Sequence, residues 1–327
     1  MPLSTDQPRL LTVVRDPSDV TFRVIARAGG VTVLAIMLLV GLFLTVRASE
    51  ALRVAGFGFL TTQSWDPDAH RFGIAAVLVG TILIAGVAIV FAVPLSLGTA
   101  LYITEYAPAR IRKPFIGLVD LMAAIPSVVY GLWGFFFLQG QITPVSRWIS
   151  QWFGWIPLFH VSGVDLDDPL ASPTSYTAST FIAGIVVGLM ITPIVTSIMR
   201  EVFSQAPLGE REGALALGST KWGMIRSVVL PFGRGGIIGG TMLGLGRALG
   251  ETIAVYMIIS PVFVIQPHIL QAGASSVSSL IALRYGDATP FGMSALMAAG
   301  LTLFLMTLCI NFAASAVVAR SRSGASS

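Results

Sequence analysis

An all-α polytopic membrane protein with six transmembrane helices is the fold class this sequence predicts, on three observations. Only 11% of the 327 residues are charged, 54% are hydrophobic and the mean hydropathy is +0.82, whereas a soluble domain carries about a quarter charged residues. Six apolar runs are long enough for a bilayer, which takes roughly 20 residues as helix. Lys and Arg gather in alternate connections between those runs, the asymmetry that orients helices across a membrane.

The runs span roughly Ala26–Val46, Gly73–Ile103, Phe115–Leu138, Thr180–Met199, Gly236–Ser260 and Gly292–Ala319. The second and sixth exceed the minimum, so tilt or continuation past the bilayer is expected. The first follows a basic leader, as a cleaved signal peptide would. Its apolar run is longer than a signal core and no small-residue cleavage site follows it, so a retained helix is expected. With the N-terminus inside, fourteen Lys and Arg lie in inner segments and five in outer ones, which sets both termini in the cytoplasm. Residues 1–25 then form a cytoplasmic segment, 26–319 one transmembrane domain with an outer loop at 139–179 and an inner loop at 200–235, and 320–327 a cytoplasmic tail. The basic pI near 9.6 is explained by these orienting charges, without a nucleic-acid partner. The lone cysteine, Cys309, excludes a disulfide framework within the chain.

Two outer segments carry features of their own. Arg147–Phe159 places Trp148, Trp152 and Trp155 at helical spacing, the pattern of an interfacial anchor or of a docking surface for an outer partner. Asp165, Asp167 and Asp168 lack the spacing of a calcium loop and read as a solvated turn. No metal ligand set is visible. The three histidines, His70, His160 and His268, fall in or near outer loops without a nucleophile–base arrangement, so chemistry on a substrate is not expected.

The inner loop is unusual in keeping a helical pattern. Glu210–Pro231 reads EREGALALGSTKWGMIRSVVLP, which predicts a short helix, a break near Gly218, and a second helix ending at Leu230-Pro231. Leu215, Leu217, Trp222, Ile225 and Val229 would give it an apolar face, suited to a groove on a partner or to the membrane surface. No G-x-x-x-x-G-K-[ST] phosphate loop occurs, and the nearest string, Gly218–Lys221, has the wrong order. Any ATP hydrolysis therefore falls to another chain, and no cofactor is expected on this one.

Two strings mark the spans. AAIPSVVYGLWG (Ala123–Gly134) lies in the third and GLGRALGETIAV (Gly244–Val255) in the fifth. Pro126 removes a backbone hydrogen bond and interrupts the third helix; with Ser127 and Tyr130 it forms either a hinge facing a cavity or a packing kink. Arg247 and Glu251, at i and i+4, share one helical face, with Arg247 about 16 Å deep at 1.5 Å per residue. A charge there costs about 2.5–3.5 kcal/mol on insertion scales, so pairing is expected, with each other or with neighbours. They read either as a structural ion pair or as charged elements of an anion path. The glycines at 235, 236, 239, 240, 244, 246 and 250 are expected to permit close helix packing. Asp120 lies roughly 8 Å shallower than Arg247 at the same rise and reads as interfacial or structural.

The inner loop resembles the E-A-A-x-x-x-G-x₉-I-x-L-P loop of binding-protein-dependent ABC importer permeases. Glu212, Ala214, Gly218, Leu230 and Pro231 fall in register, with Gly213 for Ala and Val228 for Ile. The resemblance implies the type I importer (MetI-like) fold and a loop that couples to an ATPase subunit. The I-P-S-V-V-Y-G and R-A-x-G-E-T strings resemble the phosphate-specific transport permeases, and Phe59–Ile82, with Trp65, Pro67 and Phe72-Gly73, is similar to the PstC branch. From about Arg27 to Ala319 this resemblance implies a bacterial cell-membrane permease forming half of a phosphate pathway. Its implied partners are a PstA-like permease, two copies of a PstB-like ATPase, an extracytoplasmic phosphate-binding protein (PstS-like) and membrane lipid. Arg247 and Glu251 carry over as charged residues linked to phosphate passage. A permease for sulfate or molybdate, and a stand-alone secondary transporter, are the rival readings.

Overall fold

The computed structural model describes residues 17–164 and 172–323. Asp165, Asp167 and Asp168, and the leader's Arg9 and Arg15, lie outside the described residues. In chain order the helices are α1 (Pro17–Ala55), α2 (Ala75–Leu101), α3 (Ala109–Ala124), α4 (Ser127–Trp133), α5 (Gln139–Phe153), α6 (Thr180–Ser204), α7 (Leu208–Ala216), α8 (Lys221–Met224), α9 (Leu230–Gly250), α10 (Ile253–Ile258), α11 (Val277–Arg284) and α12 (Pro290–Ser323). A two-stranded antiparallel hairpin, β1 (Trp65–Asp66) and β2 (Arg71–Phe72), precedes α2.

Among the described residues, five helices are long and apolar enough to cross a bilayer, and the bent unit Ala109–Ala124 with Ser127–Phe153 makes a sixth if counted as one span. The bend is 90°. The expected third span, Phe115–Leu138, is therefore two helical arms, because Pro126 cannot continue the backbone ladder of α3. The expected fifth span, Gly236–Ser260, is corrected at both ends. Its helix runs continuously from Lys221 to Gly250 and then breaks, with Glu251 extended at φ −67°, ψ 127°. Gly250, a weak helix former, precedes a residue whose side chain serves the next helix instead.

The centre of the fold is α6, enclosed by α2, α9 and the α4–α10 pair. Small residues set these approaches. A methyl group at Gly184 would stand 2.5 Å from Val87, and one at Gly80 only 2.0 Å from the Ser275 carbonyl. Ser96 donates to the Thr192 carbonyl at 3.0 Å across the α2–α6 seam, an interhelical bond of the kind that contributes about 0.6 kcal/mol in a membrane. The glycines of α9 divide by face. Methyls at Gly233, Gly236 and Gly244 would collide with Phe203, Val202 and Val195, whereas at Gly235, Gly239 and Gly250 they would meet nothing within 4 Å. Gly240 and Gly246 meet neighbours at 3.4 Å, so close packing accounts for five of the eight glycines of α9 and leaves three unexplained.

By contrast, no residue in the apolar window of α1 is fully buried, and the helix meets α12 at Gly41 and Leu44 and nearer its C-terminal end. There the Ala51 amide donates to Ser294 Oγ at 3.1 Å, and the Ser294 hydroxyl donates to the Arg47 carbonyl at 2.7 Å. Phe72 of the hairpin packs edge-on against Phe59, Trp65 and Phe291. Sequence periodicity did not foresee this short hairpin. In α5 the helix ends at Phe153, so Trp155 lies beyond it and not on its face; Trp148, Trp152 and Trp155 are all exposed.

Candidate functional site: an inner loop and a broken-helix cavity

The inner loop folds as a helix–turn–helix whose ends are fixed by local chemistry. Glu210 in the first turn of α7 favours the helix N-terminus. At the other end the Ser219 amide donates to the Ala214 carbonyl at 3.1 Å and the Gly218 amide to that of Leu215 at 3.0 Å, a Schellman closure. It needs a left-handed residue, and Gly218 supplies it at φ +85°. Thr220 then caps α8, its Oγ1 accepting from the Gly223 amide at 3.1 Å.

The expected end at Leu230-Pro231 is absent. A π-helical turn, Ile225–Val229, joins α8 to α9, and the Leu230 amide reaches back five residues to the Ile225 carbonyl. Pro231, which has no amide, follows where the ladder is already widened and begins α9 instead of ending a helix. The expected apolar face also splits. Leu215, Leu217 and Trp222 project outward, Leu217 with 89% of its surface exposed. Ile225 and Val229 point inward against Val195, Met199 and Phe203 of α6 and Ala100 of α2. Glu212 is exposed and Ala214 half-buried.

Motif spacing and periodicity do not reveal the contact that ties this loop to the bundle. Arg211 Nη1 lies 3.1 Å from Glu105 Oε1, with side-chain exposures of 16% and 5%. Arg211 also donates to the Phe203 carbonyl at the end of α6. Glu105 belongs to a π-helical turn, Tyr102–Tyr106, that closes α2. One signal was available: a single acidic residue, Glu105, at the end of the apolar second run.

Within the membrane-crossing part, Arg247 and Glu251 are separated rather than paired. Arg247 lies in the last turn of α9, exposed, and lines a cavity of about 610 Å³ with Ile194, Leu303, Phe304, Thr307 and Asn311. Among the described residues no carboxylate stands within ion-pairing distance of it. The half-buried Glu251 accepts from the Ala254 amide at 3.2 Å through Oε1 and from the Ser278 hydroxyl at 2.7 Å through its backbone carbonyl. It caps α10 and fastens α11. Asp120 stays exposed, with Ser197 Oγ at 3.5 Å from its Oδ1.

Pro126 sits at the elbow as the cap residue of α4, φ −60°, ψ 143°, and Ser127 opens the helix, half-buried. Tyr130 spans the break, its hydroxyl donating to the Met122 carbonyl at 3.0 Å. A methyl at Gly131 would stand 3.0 Å from Ala254 Cα and one at Gly134 would stand 2.9 Å from Ile258. The two short helices α4 and α10 therefore run side by side in the same direction, and the break before each stands at the same end of the pair.

Comparison with known proteins defines the class. Residues 92–323 match the model of the binding-protein-dependent transport system inner membrane component, and the chain belongs to this family of ABC importer permeases. Within it the chain belongs to the PstC permeases. It is 40% identical over 318 residues, 95% of this chain and 96% of the relative, to the phosphate transport system permease protein PstC 2 of Mycobacterium tuberculosis (strain ATCC 25618 / H37Rv). It is 36% identical to the PstC protein of Pasteurella multocida (strain Pm70), over 89% of each. The fold is shared with a chain of the inward-facing MetNI methionine ABC transporter, at TM-score 0.51 and 14% identity over 76% of this chain and 94% of that one. It is a membrane-embedded permease subunit, not an enzyme, of an ABC importer.

Proposed function

We propose that this chain forms one half of the pathway by which an ABC importer carries inorganic phosphate across a bacterial cell membrane. The observation that carries it is Arg247, a guanidinium in a membrane-crossing helix that faces a cavity with no carboxylate partner among the described residues. A planar fork of donors suits a tetrahedral oxyanion with several acceptor oxygens. Membership of the PstC permeases supports phosphate over sulfate or molybdate. The complementary half is a PstA-like permease. Two PstB-like ATPases hydrolyse ATP, and a PstS-like phosphate-binding protein delivers cargo from outside, where the exposed Trp148 and Trp152 lie with the lipid interface. Both termini and the α7–α8 loop face the cytoplasm. Exposed Glu212, Leu215 and Leu217 on that loop meet the ATPase, and Gly218 fixes the angle between α7 and α8. ATPase closure then moves α9, whose first residues Leu230 and Pro231 continue from the loop without interruption.

The test is accumulation of labelled phosphate and labelled sulfate by proteoliposomes containing all the partners. ATP-dependent phosphate accumulation is expected, with unlabelled sulfate a poor competitor. Accumulation of sulfate without phosphate would overturn the substrate assignment and leave the coupling reading standing.

A further inference from the structure

Three cationic side chains converge on one short segment, two on its side chains and one on its backbone. The π-helical turn Tyr102–Tyr106 closes α2 at the end nearest the inner loop. Arg211 of α7 meets its Glu105 at 3.1 Å. Lys221, the first residue of α8, holds its Nζ 4.8 Å above the ring of Tyr106. Arg112 of α3 donates to the Thr104 and Ala107 carbonyls at 3.2 and 3.4 Å. Both arms of the helix–turn–helix are thereby attached to the same five residues, on either side of the Gly218 corner.

The attachment has directional consequences. The Schellman closure at Gly218 ties the turn to the end of α7 through two backbone hydrogen bonds that do not reach α8, and that joint alone would let the pair pivot about the turn. Glu105 and Tyr106 supply two further points of fixation, so a push on the exposed face of α7 moves the end of α2 with it. The Glu105 carboxylate is 5% exposed, and a buried ion contact of this kind loses its value when either partner goes, because the remaining charge is stranded. From α2 the displacement passes to α6 through the seam of Gly184, Gly188 and Ser96.

We propose that the π-turn Tyr102–Tyr106 is a second transmission point between the inner loop and the membrane bundle, with Glu105 and Arg211 as positioning residues for coupling. The inference rests on the reading of α7–α8 as the ATPase-coupling element. It adds α2 to the route, where covalent continuity alone would have carried the motion only into α6 and α9.

The experiment uses the assembled transporter in proteoliposomes. Glu105→Gln removes the charge but keeps an oxygen facing Arg211, and in the complex that assembles it is expected to lower phosphate accumulated per ATP by roughly two- to thirty-fold, the range over which such coupling residues act. An unchanged ratio in a normally assembled complex would overturn the proposal. A second measurement needs neither that variant nor phosphate. In a Cys309→Ser background, which removes the sole cysteine, spin labels at Leu208→Cys on α7 and Leu95→Cys on α2 report the separation of the two helices. It is expected to stay fixed between nucleotide-free and ATP-bound states. A shift of several ångströms would show that α7 moves without α2 and would overturn the proposal. Failure of the wild type to take up phosphate would instead fall on the substrate assignment alone.

Discussion

Arg247 and Glu251 are four residues apart yet share no helical face, because α9 ends at Gly250 and Glu251 turns back to cap α10. The pair that a continuous helix would have made is replaced by two separate duties. Glu251 fastens the broken segment, and Arg247 is left facing a cavity of about 610 Å³ between α9, α6 and α12.

That division makes the Arg247→Gln variant informative. With no carboxylate partner to strand among the described residues, its loss is expected to leave protein level and thermal stability near wild type, within about 0.5 kcal/mol as for sites away from buried networks. Phosphate uptake is expected to fall by about tenfold or more, as when a charge-assisted contact to an anion is lost. Parallel losses of uptake and protein level would make Arg247 a structural residue.

Glu251→Gln should behave differently. Glutamine keeps a side-chain oxygen for the Ala254 amide, so α10 remains capped, while Glu251→Ala removes it and is expected to cost about 1 kcal/mol, as other cap deletions do. Thermal melting of the purified protein in detergent reads this order; equal melting of the two variants would contradict the capping role.

The bond from Tyr130 to the Met122 carbonyl holds the 90° elbow between α3 and α4. Tyr130→Phe keeps the ring and removes one donor, with an expected loss of about 0.5–1.5 kcal/mol. A hydroxyl irrelevant to the bend would leave the melting temperature unchanged.

Two glycines five residues apart in the inner loop, Gly213 and Gly218, should respond in opposite senses. Gly213 lies within α7 and a methyl there meets nothing within 4 Å, so Gly213→Ala is expected to stabilise by about 0.5–1 kcal/mol. Gly218 sits at φ +85°, where any L residue costs about 1–2 kcal/mol. Gly218→Asp is therefore expected to distort the α7–α8 corner and to lower ATP-driven uptake, with retained expression. Normal uptake by Gly218→Asp would refute the coupling role of the turn.

Much of this was legible in the residues. Hydropathy located the spans, Pro126 announced the elbow, and the spacing from Glu212 to Pro231 marked the loop. What escaped was geometry that depends on distant partners. After the break at Gly250, α10 packs beside α4 close to Gly131 and Gly134, a partnership that i and i+4 spacing on a continuous helix does not reveal. Pro231 reads as a helix terminator unless the preceding π-turn is known. The Glu105–Arg211 contact joins residues over a hundred positions apart, and alone one looks like an ordinary charge at the end of a span and the other like an ordinary inner-loop charge.

The most direct measurement is phosphate accumulation by proteoliposomes holding this chain with its partner permease, ATPase and binding protein. Uphill accumulation that requires hydrolysable ATP, and that is lost with a non-hydrolysable analogue or with Gly218→Asp, is the expected result. Equal accumulation by this chain without the ATPase would contradict the account.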